Sequence, residues 1–271
     1  MITTLALHPA AAKTIIGQAV AALPEVQNAF KRGKIIITAG TTNVMVAKAL
    51  LKVEVKEMEA YAAGIITQRA ACVTEKSSRL GPWCLEKGVP VQADWLDFLD
   101  SMRAGDVFIK GANAYDQAGL IGIMLGDDRG GTAGRAVGMV KARGITWIAP
   151  IGLEKLIPCC INAEKWMQGT AGSSMRLGLK CGYLTVANTR IINEIESFKI
   201  LCGVSAVQIA AGGVGGMEAA SVLAVECGDE NHCREVLQIA KKANQVSPLK
   251  VRRQACANCA DPCFMQEKTI K

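Results

Sequence analysis

A chain of 271 residues is long enough for a main α/β domain with a sizeable core and a small appendage. Hydrophobic residues make up 50% of it but aromatics only 4%, so the core must be built from Ala, Val, Ile and Leu, a composition that suits parallel strands covered by helices. The net charge of +7 is spread along the chain without a basic run interleaved with aromatics, which excludes a nucleic-acid groove and leaves an anionic small molecule as the favoured partner.

The first residues, MITTLALHPAAAK, show no basic segment ahead of an apolar stretch and no apolar stretch of signal-peptide length, so a cytoplasmic chain is expected. An Ala-rich helix is predicted over 9–23. The run KIIIT (34–38) reads as a strand that ends in AGTT (39–42) and opens a helix over 43–51. The same alternation recurs at 63–67, 107–110 and 145–149, each a short β-rich run bounded by Gly, Pro or polar residues. Repeated β-α units predict a Rossmann-like parallel sheet with helices on both faces, assigned to a domain over 1–180. In the helix expected after Gly131, Ala133, Ala136, Val137 and Val140 recur at i, i+3, i+4 and i+7, one face for packing on the sheet.

From residue 183 the pattern changes. Strands over 183–187, 206–211, 221–226 and 249–252, with helices over 189–201 and 230–243, read as βαββαβ and predict a small ferredoxin-like α+β domain over 181–253. GGVGG (212–216) is expected to be the hairpin turn between the middle strands, since Glu218 stands where a dinucleotide fingerprint needs its last glycine. Residues 200–217 are uncharged, but five glycines with Ser205 and Gln208 make them a poor membrane helix. No membrane span is expected.

Strands of an open α/β sheet end at one edge, where turns expose backbone N–H groups and helix N-termini that attract anions. Gly40 and Gly131 would let the backbone approach a phosphate there, with the hydroxyls of Thr41, Thr42 and Thr132 beside it and Lys110, Arg129, Arg135 and Lys155 as countercharge. The plainer reading is a capped helix start at 40–42 and a tight turn at Gly130 and Gly131.

GANAYD (111–116), followed by Gly130 and Gly131, resembles the ribose-phosphate isomerase pattern in which G-A-D-E-x-D precedes a glycine run and a helix. AGTT (39–42) sits where that family and the sugar-responsive repressor effector domains carry a phosphate-binding Gly-Thr/Ser turn, and APIGLEKLIP (149–158) is similar to the family's strand ending in Asp-Glu-Ser-Lys. These correspondences, in order, imply the superfamily that joins ribose-phosphate isomerase, glucosamine-phosphate deaminase and CoA transferase. They imply a ligand site of Gly40, Thr41, Thr42, Lys110, Gly111, Asn113, Asp116, Gly130, Gly131, Thr132, Arg135 and Lys155.

Departures from the pattern bear on the chemistry. Asn113 and Ala114 replace two acidic residues of the motif, and no carboxylate occurs from 129 to 153, where the isomerase carries its general base. Proton transfer between adjacent carbons needs that base, worth about 10²- to 10⁴-fold, so ribose-phosphate isomerisation is not expected. No segment matches the glutamate nucleophile of CoA transferases, and Glu154 with Lys155 reads as a solvated ion pair. Neither His8 nor His232 adjoins a Ser or Cys nucleophile motif, so no hydrolase triad is expected. The functional expectation is binding of an anionic metabolite (sugar phosphate, nucleotide or CoA derivative) with the reaction unassigned; the alternative is a non-catalytic ligand sensor or assembly protein. A homo-oligomer is expected in either case.

Eleven cysteines in a chain read as cytosolic argue for thiols or metal ligands rather than disulfides. Cys233 shares the spacing of Val236, Leu237 and Ala240 and reads as core; Cys72, Cys84, Cys181 and Cys202 have no ligand-like spacing and are also read as core. Of adjacent Cys159 and Cys160 only one can face a pocket from a strand. The tail over 254–271 differs: CANCADPC supplies Cys256, Cys259 and Cys263 as C-x2-C-x3-C in a basic setting that favours thiolates. Zinc and an iron–sulfur cluster both suit such ligands. The bacterial ferredoxin spacing is not matched, because Pro262 precedes Cys263 and one cysteine is missing. A fourth ligand would come from Cys227, Cys233, His232 or a partner chain, and the alternative is a flexible tail of thiols.

Overall fold

The computed structural model describes residues 1–168, 175–259 and 263–266. In chain order its elements are β1 (Ile2–Leu7), α1 (Pro9–Ala22), α2 (Pro24–Arg32), β2 (Lys34–Ile37), α3 (Thr41–Leu51), β3 (Gly64–Thr67), β4 (Ala70–Val73), β5 (Trp83–Glu86), β6 (Val89–Val91), α4 (Trp95–Asp100), β7 (Val107–Ile109), β8 (Ala114–Tyr115), β9 (Ile121–Leu125) and α5 (Gly131–Ala142). They continue with β10 (Thr146–Pro150), α6 (Cys160–Gln168), β11 (Gly182–Val186), β12 (Arg190–Ile192), α7 (Glu194–Cys202), β13 (Ser205–Gly212), β14 (Ala220–Glu226) and α8 (Glu230–Ala243).

The central layer is a six-stranded sheet ordered β12-β10-β7-β2-β5-β6. β2, β7, β10 and β12 run parallel, while β5 and β6 extend the sheet antiparallel, so it is mixed rather than wholly parallel. Its register aligns Ile36 with Phe108 and Phe108 with Trp147, and on the next rung Ile37 with Ile109 and Ile109 with Ile148. Successive side chains of a strand face opposite ways. Ile35, Ile37, Val107, Ile109 and Ile148 therefore pack with Ile16 and Val20 of α1, Val26 of α2 and Val46 of α3. Ile36, Phe108 and Trp147 meet Phe98 and Leu99 of α4 and Ala133, Ala136 and Val140 of α5 on the other face. Helices cover both faces, as the apolar periodicity requires, and Phe108 and Trp147 interlock edge to face at 5.1 Å.

The run at 63–67 departs from expectation. It does not join the sheet but forms an antiparallel hairpin, β3 to β4, with Thr67 opposite Ala70. The turn residues Gln68 and Arg69 adopt positive φ (48° and 70°), as a two-residue primed turn demands.

The βαββαβ unit does not form as one sheet. β11 pairs with β9 in a separate antiparallel sheet, β8-β9-β11, and β12 adds to the central sheet beside β10. β13 and β14 do make the hairpin expected around GGVGG, but its third strand is β1, with Leu5 opposite Leu223. That pairing buries Leu5, Leu223 and Val225, and no strand is assigned over 249–252. The helix expected over 189–201 starts later, because Asn193 caps it by accepting the Glu196 N–H at 3.0 Å and leaves 190–192 to β12. α8 occupies 230–243 as expected, capped by Asp229 at the His232 N–H (2.8 Å), with Cys233, Val236 and Ala240 buried. Among the described residues no helix is long and apolar enough to cross a membrane.

Candidate functional site

The parallel strands deliver their carboxyl ends to one edge of the sheet. From β2 the chain builds β5 and β6 on one side and then returns through β7 to the other, so a crevice opens between the ends of β2 and β7. A cleft of about 1040 Å³, counting its open mouth, lies at this edge. Thr41 and Thr42 line it from the start of α3, Lys110 and Gly111 from the end of β7, Lys155 from beyond β10, Thr132 from α5, and Asn113 from the loop before β8. The β3–β4 hairpin, Ile123 and Met124 of β9, Leu179 and Cys181 complete the wall.

Local chemistry shapes each contribution. Gly40 offers α3 no side-chain cap, and its own N–H goes to the Tyr61 carbonyl at 2.7 Å. The first turn of α3, rather than the Gly40 amide, is thus the donor surface towards the cleft. Asn43 fixes that turn: its amide donates to the Thr38 carbonyl at 2.9 Å and to the Thr38 hydroxyl at 3.1 Å. Gly111 is required by close approach, since a Cβ there would lie 2.8 Å from the Pro150 carbonyl oxygen.

The electrostatics are set by two lysines. Burial, and then the charge of Lys155, lower Lys110 to about 8. Lys155 is also lowered by burial, with Lys13 adding to the effect and Glu154 and Glu194 opposing it. The Lys155 ammonium donates to the Ala112 carbonyl at 3.1 Å. Among the described residues Lys110 has no ion pair or hydrogen bond through its ammonium, and none of the residues lining the cleft is Asp, Glu or His.

Behind Lys155 lies a carboxylate pair that sequence reasoning did not find. Glu194, at the start of α7, is 1% exposed and accepts the Leu153 N–H at 2.7 Å. Burial and the neighbouring Glu154 raise it to about 7. Among the described residues the Glu154 Oε2 is buried without a hydrogen-bond partner, so Glu154 and Lys155 are not the solvated pair expected. An acidic residue in the first turn of a helix ordinarily reads as solvent-facing; only tertiary contacts, with Leu153 and Ser221 beside it, bury this one.

Five other expected residues, Arg129 among them, fall outside the cleft lining. Asp116 is buried and takes two structural contacts, accepting the Leu120 N–H at 3.0 Å and the Cys160 N–H at 2.9 Å, which ties β8 to the start of α6. Gly130 and Gly131 shape the turn into α5 but stand back from the cleft, leaving Thr132 to face it. Arg135, about one turn further on, is exposed and lies over the Trp95 ring at 5.5 Å. Cys72 and Cys181 are half-buried wall residues rather than core, whereas Cys159 is exposed and Cys160 buried.

No protein-family model, curated protein or solved structure matches the chain. Its site is therefore described by its own geometry: a cationic strand-end cleft in a mixed α/β sheet.

Proposed function

We propose that the cleft binds an anionic metabolite, with a sugar phosphate, a nucleotide or a CoA derivative as the chemical classes. The observation that carries this reading is Lys110, a recessed cation lowered to about 8 that shares the cleft with Lys155 and the uncapped start of α3. A phosphate group there would accept from the first-turn N–H groups, from the hydroxyls of Thr41, Thr42 and Thr132, and from both ammonium groups. The order of the Gly-Thr-Thr turn, the GANAYD segment and the APIGLEKLIP segment supports kinship with the isomerase and CoA-transferase superfamily.

The reaction is not ribose-phosphate isomerisation in this reading, because the described residues that line the cleft carry no carboxylate and Asp116 is committed to backbone contacts. The same lining favours, as second reading, a sensor that holds the anion without converting it. Thermal shift with a panel of these anions tests binding, and incubation with whichever anion stabilises the protein, followed by product analysis, separates enzyme from sensor. The reading extends to a homo-oligomer: β13 is an edge strand of 8 residues whose Val207 and Ile209 are exposed. A strictly monomeric mass in light scattering would remove that extension.

A further inference from the structure

The cysteine tail does not stand alone. Its backbone is laid along the β3–β4 hairpin: the Gln254 N–H donates to the Val73 carbonyl at 2.9 Å, the Arg253 N–H to Gln68 at 3.2 Å, and the Thr67 hydroxyl to the Val251 carbonyl at 3.3 Å. Further on, the Phe264 N–H donates to the Arg176 carbonyl at 2.9 Å. The segment carrying Gly178 and Leu179 lies against the hairpin, with the Leu179 N–H on the Ala71 carbonyl at 2.8 Å. Only glycine fits at 178, where φ is 112° and a Cβ would stand 2.2 Å from the Ala71 oxygen.

Between these segments is a small hollow, distinct from the cleft and lined by Cys72, Cys256, Cys259 and Cys263 together with Ala70, Leu179 and Arg253. Cys72 comes from β4 and is separated from the tail by most of the chain, so the spacing of the tail cysteines gives no hint of it. The previously expected partners are elsewhere: Cys227 is joined to the start of β1 through Met1, and His232 pairs with the Cys202 carbonyl at 2.8 Å at the start of α8.

We propose that Cys72, Cys256, Cys259 and Cys263 ligate an iron–sulfur cluster. Four thiolates are the ligand number such clusters take. A zinc ion would draw its sulfurs to about 2.3 Å from one centre. Among the described residues no group of three or more His, Cys, Asp or Glu is placed to hold a metal ion; the four cysteines share the lining of one hollow. The Arg253 guanidinium donates to the Cys256 sulfur at 2.9 Å, which places a positive charge beside one of the proposed ligands. Cys72 and Leu179 line both this hollow and the cleft, so the cluster fastens the tail to the hairpin that walls the cleft.

The test is iron, zinc and acid-labile sulfide analysis, with visible absorption, on full-length protein expressed and purified without oxygen. Iron and sulfide in equal amounts are expected, with most of both lost in Cys72→Ser and retained in Cys159→Ser. To separate ligation from a folding defect in Cys72→Ser, thiol alkylation of the wild-type protein with peptide mapping provides a second readout. Cys72, Cys256, Cys259 and Cys263 should be protected until a chelator strips the iron, while exposed Cys159 is labelled throughout. Zinc without sulfide, no metal even after reconstitution with iron and sulfide, or wild-type iron content in Cys72→Ser would each overturn the proposal, as would early labelling of Cys72.

Discussion

Lys110 and Lys155 face one cleft from beyond the ends of adjacent parallel strands, β7 and β10, and the charge of Lys155 adds to burial in lowering Lys110. Lys155 has Glu154 and Glu194 to offset its own charge; Lys110 has no carboxylate among its influences. An anion in the cleft would neutralise Lys110 most directly, and the dependence of binding on that one proton gives the site a pH signature.

Lys110 falls from the ordinary 10.5 to about 8 on folding. Between those values the unfolded chain holds more protons than the folded one, so this group makes stability rise with pH through the window. Anion binding has the opposite sign, because it needs the protonated amine. Sulfate, whose charge is fixed over the range, should bind with constant affinity below about pH 7 and weaken by up to about tenfold per pH unit well above 8. Titration calorimetry at constant ionic strength checks this; affinity that stays flat to about pH 9.5 would count against Lys110 as a ligand.

Glu194 works in the reverse sense. Its value rises from 4.5 to about 7, so between those points the folded protein holds the extra proton and stability falls as pH rises, with the full cost present above about 7. Glu194→Gln keeps an acceptor for the Leu153 N–H and removes the titration. The variant should be the more stable at pH 8, by on the order of 1–3 kcal/mol, and the difference should shrink towards pH 4.5. Urea unfolding at several pH values measures it; parallel stability profiles for the two proteins would show that Glu194 does not titrate as described.

Asp116 was a ligand candidate in the sequence and is a structural acceptor in the fold. Asp116→Ala leaves the part-buried N–H of Leu120 and the buried N–H of Cys160 without their side-chain partner and should cost about 2–4 kcal/mol. Sulfate affinity, measured where the variant remains folded, should change less than twofold. A large loss of affinity with unchanged stability would return Asp116 to the cleft.

The strand ends were legible because local chemistry announces them: KIIIT followed by a Gly-Thr-Thr turn places Thr41 and Thr42, and the β-rich run before Gly111 places Lys110. Long-range pairing was not. β1 closes on β14 from the far end of the chain, and nothing within 181–253 signals that the third strand of that sheet lies outside it. The β3–β4 hairpin was hidden because its turn uses Gln68 and Arg69 at positive φ in place of the Asn-Gly or Gly-Gly that marks such turns. Cys72 read as core for the same reason, since an isolated cysteine in a short apolar run carries no sign of the tail laid beside it.

Ribose 5-phosphate separates binding from isomerisation. It should stabilise the protein if the cleft accepts sugar phosphates, yet no ribulose 5-phosphate should form above background. Conversion in the usual enzyme range of roughly 1 to 10³ per second would contradict the argument from the missing carboxylate.

The central claim is that the two lysines make the cleft an anion site, and ligand-dependent stability of the wild type against Lys110→Met, Lys155→Met measures it most directly. An anionic metabolite at about 100 times its dissociation constant should stabilise the wild type by about 2.7 kcal/mol and leave the double variant, checked as folded by circular dichroism, essentially unmoved. Equal stabilisation of both proteins by the same anion, or no response of the wild type to any sugar phosphate, nucleotide or CoA derivative, would contradict the account.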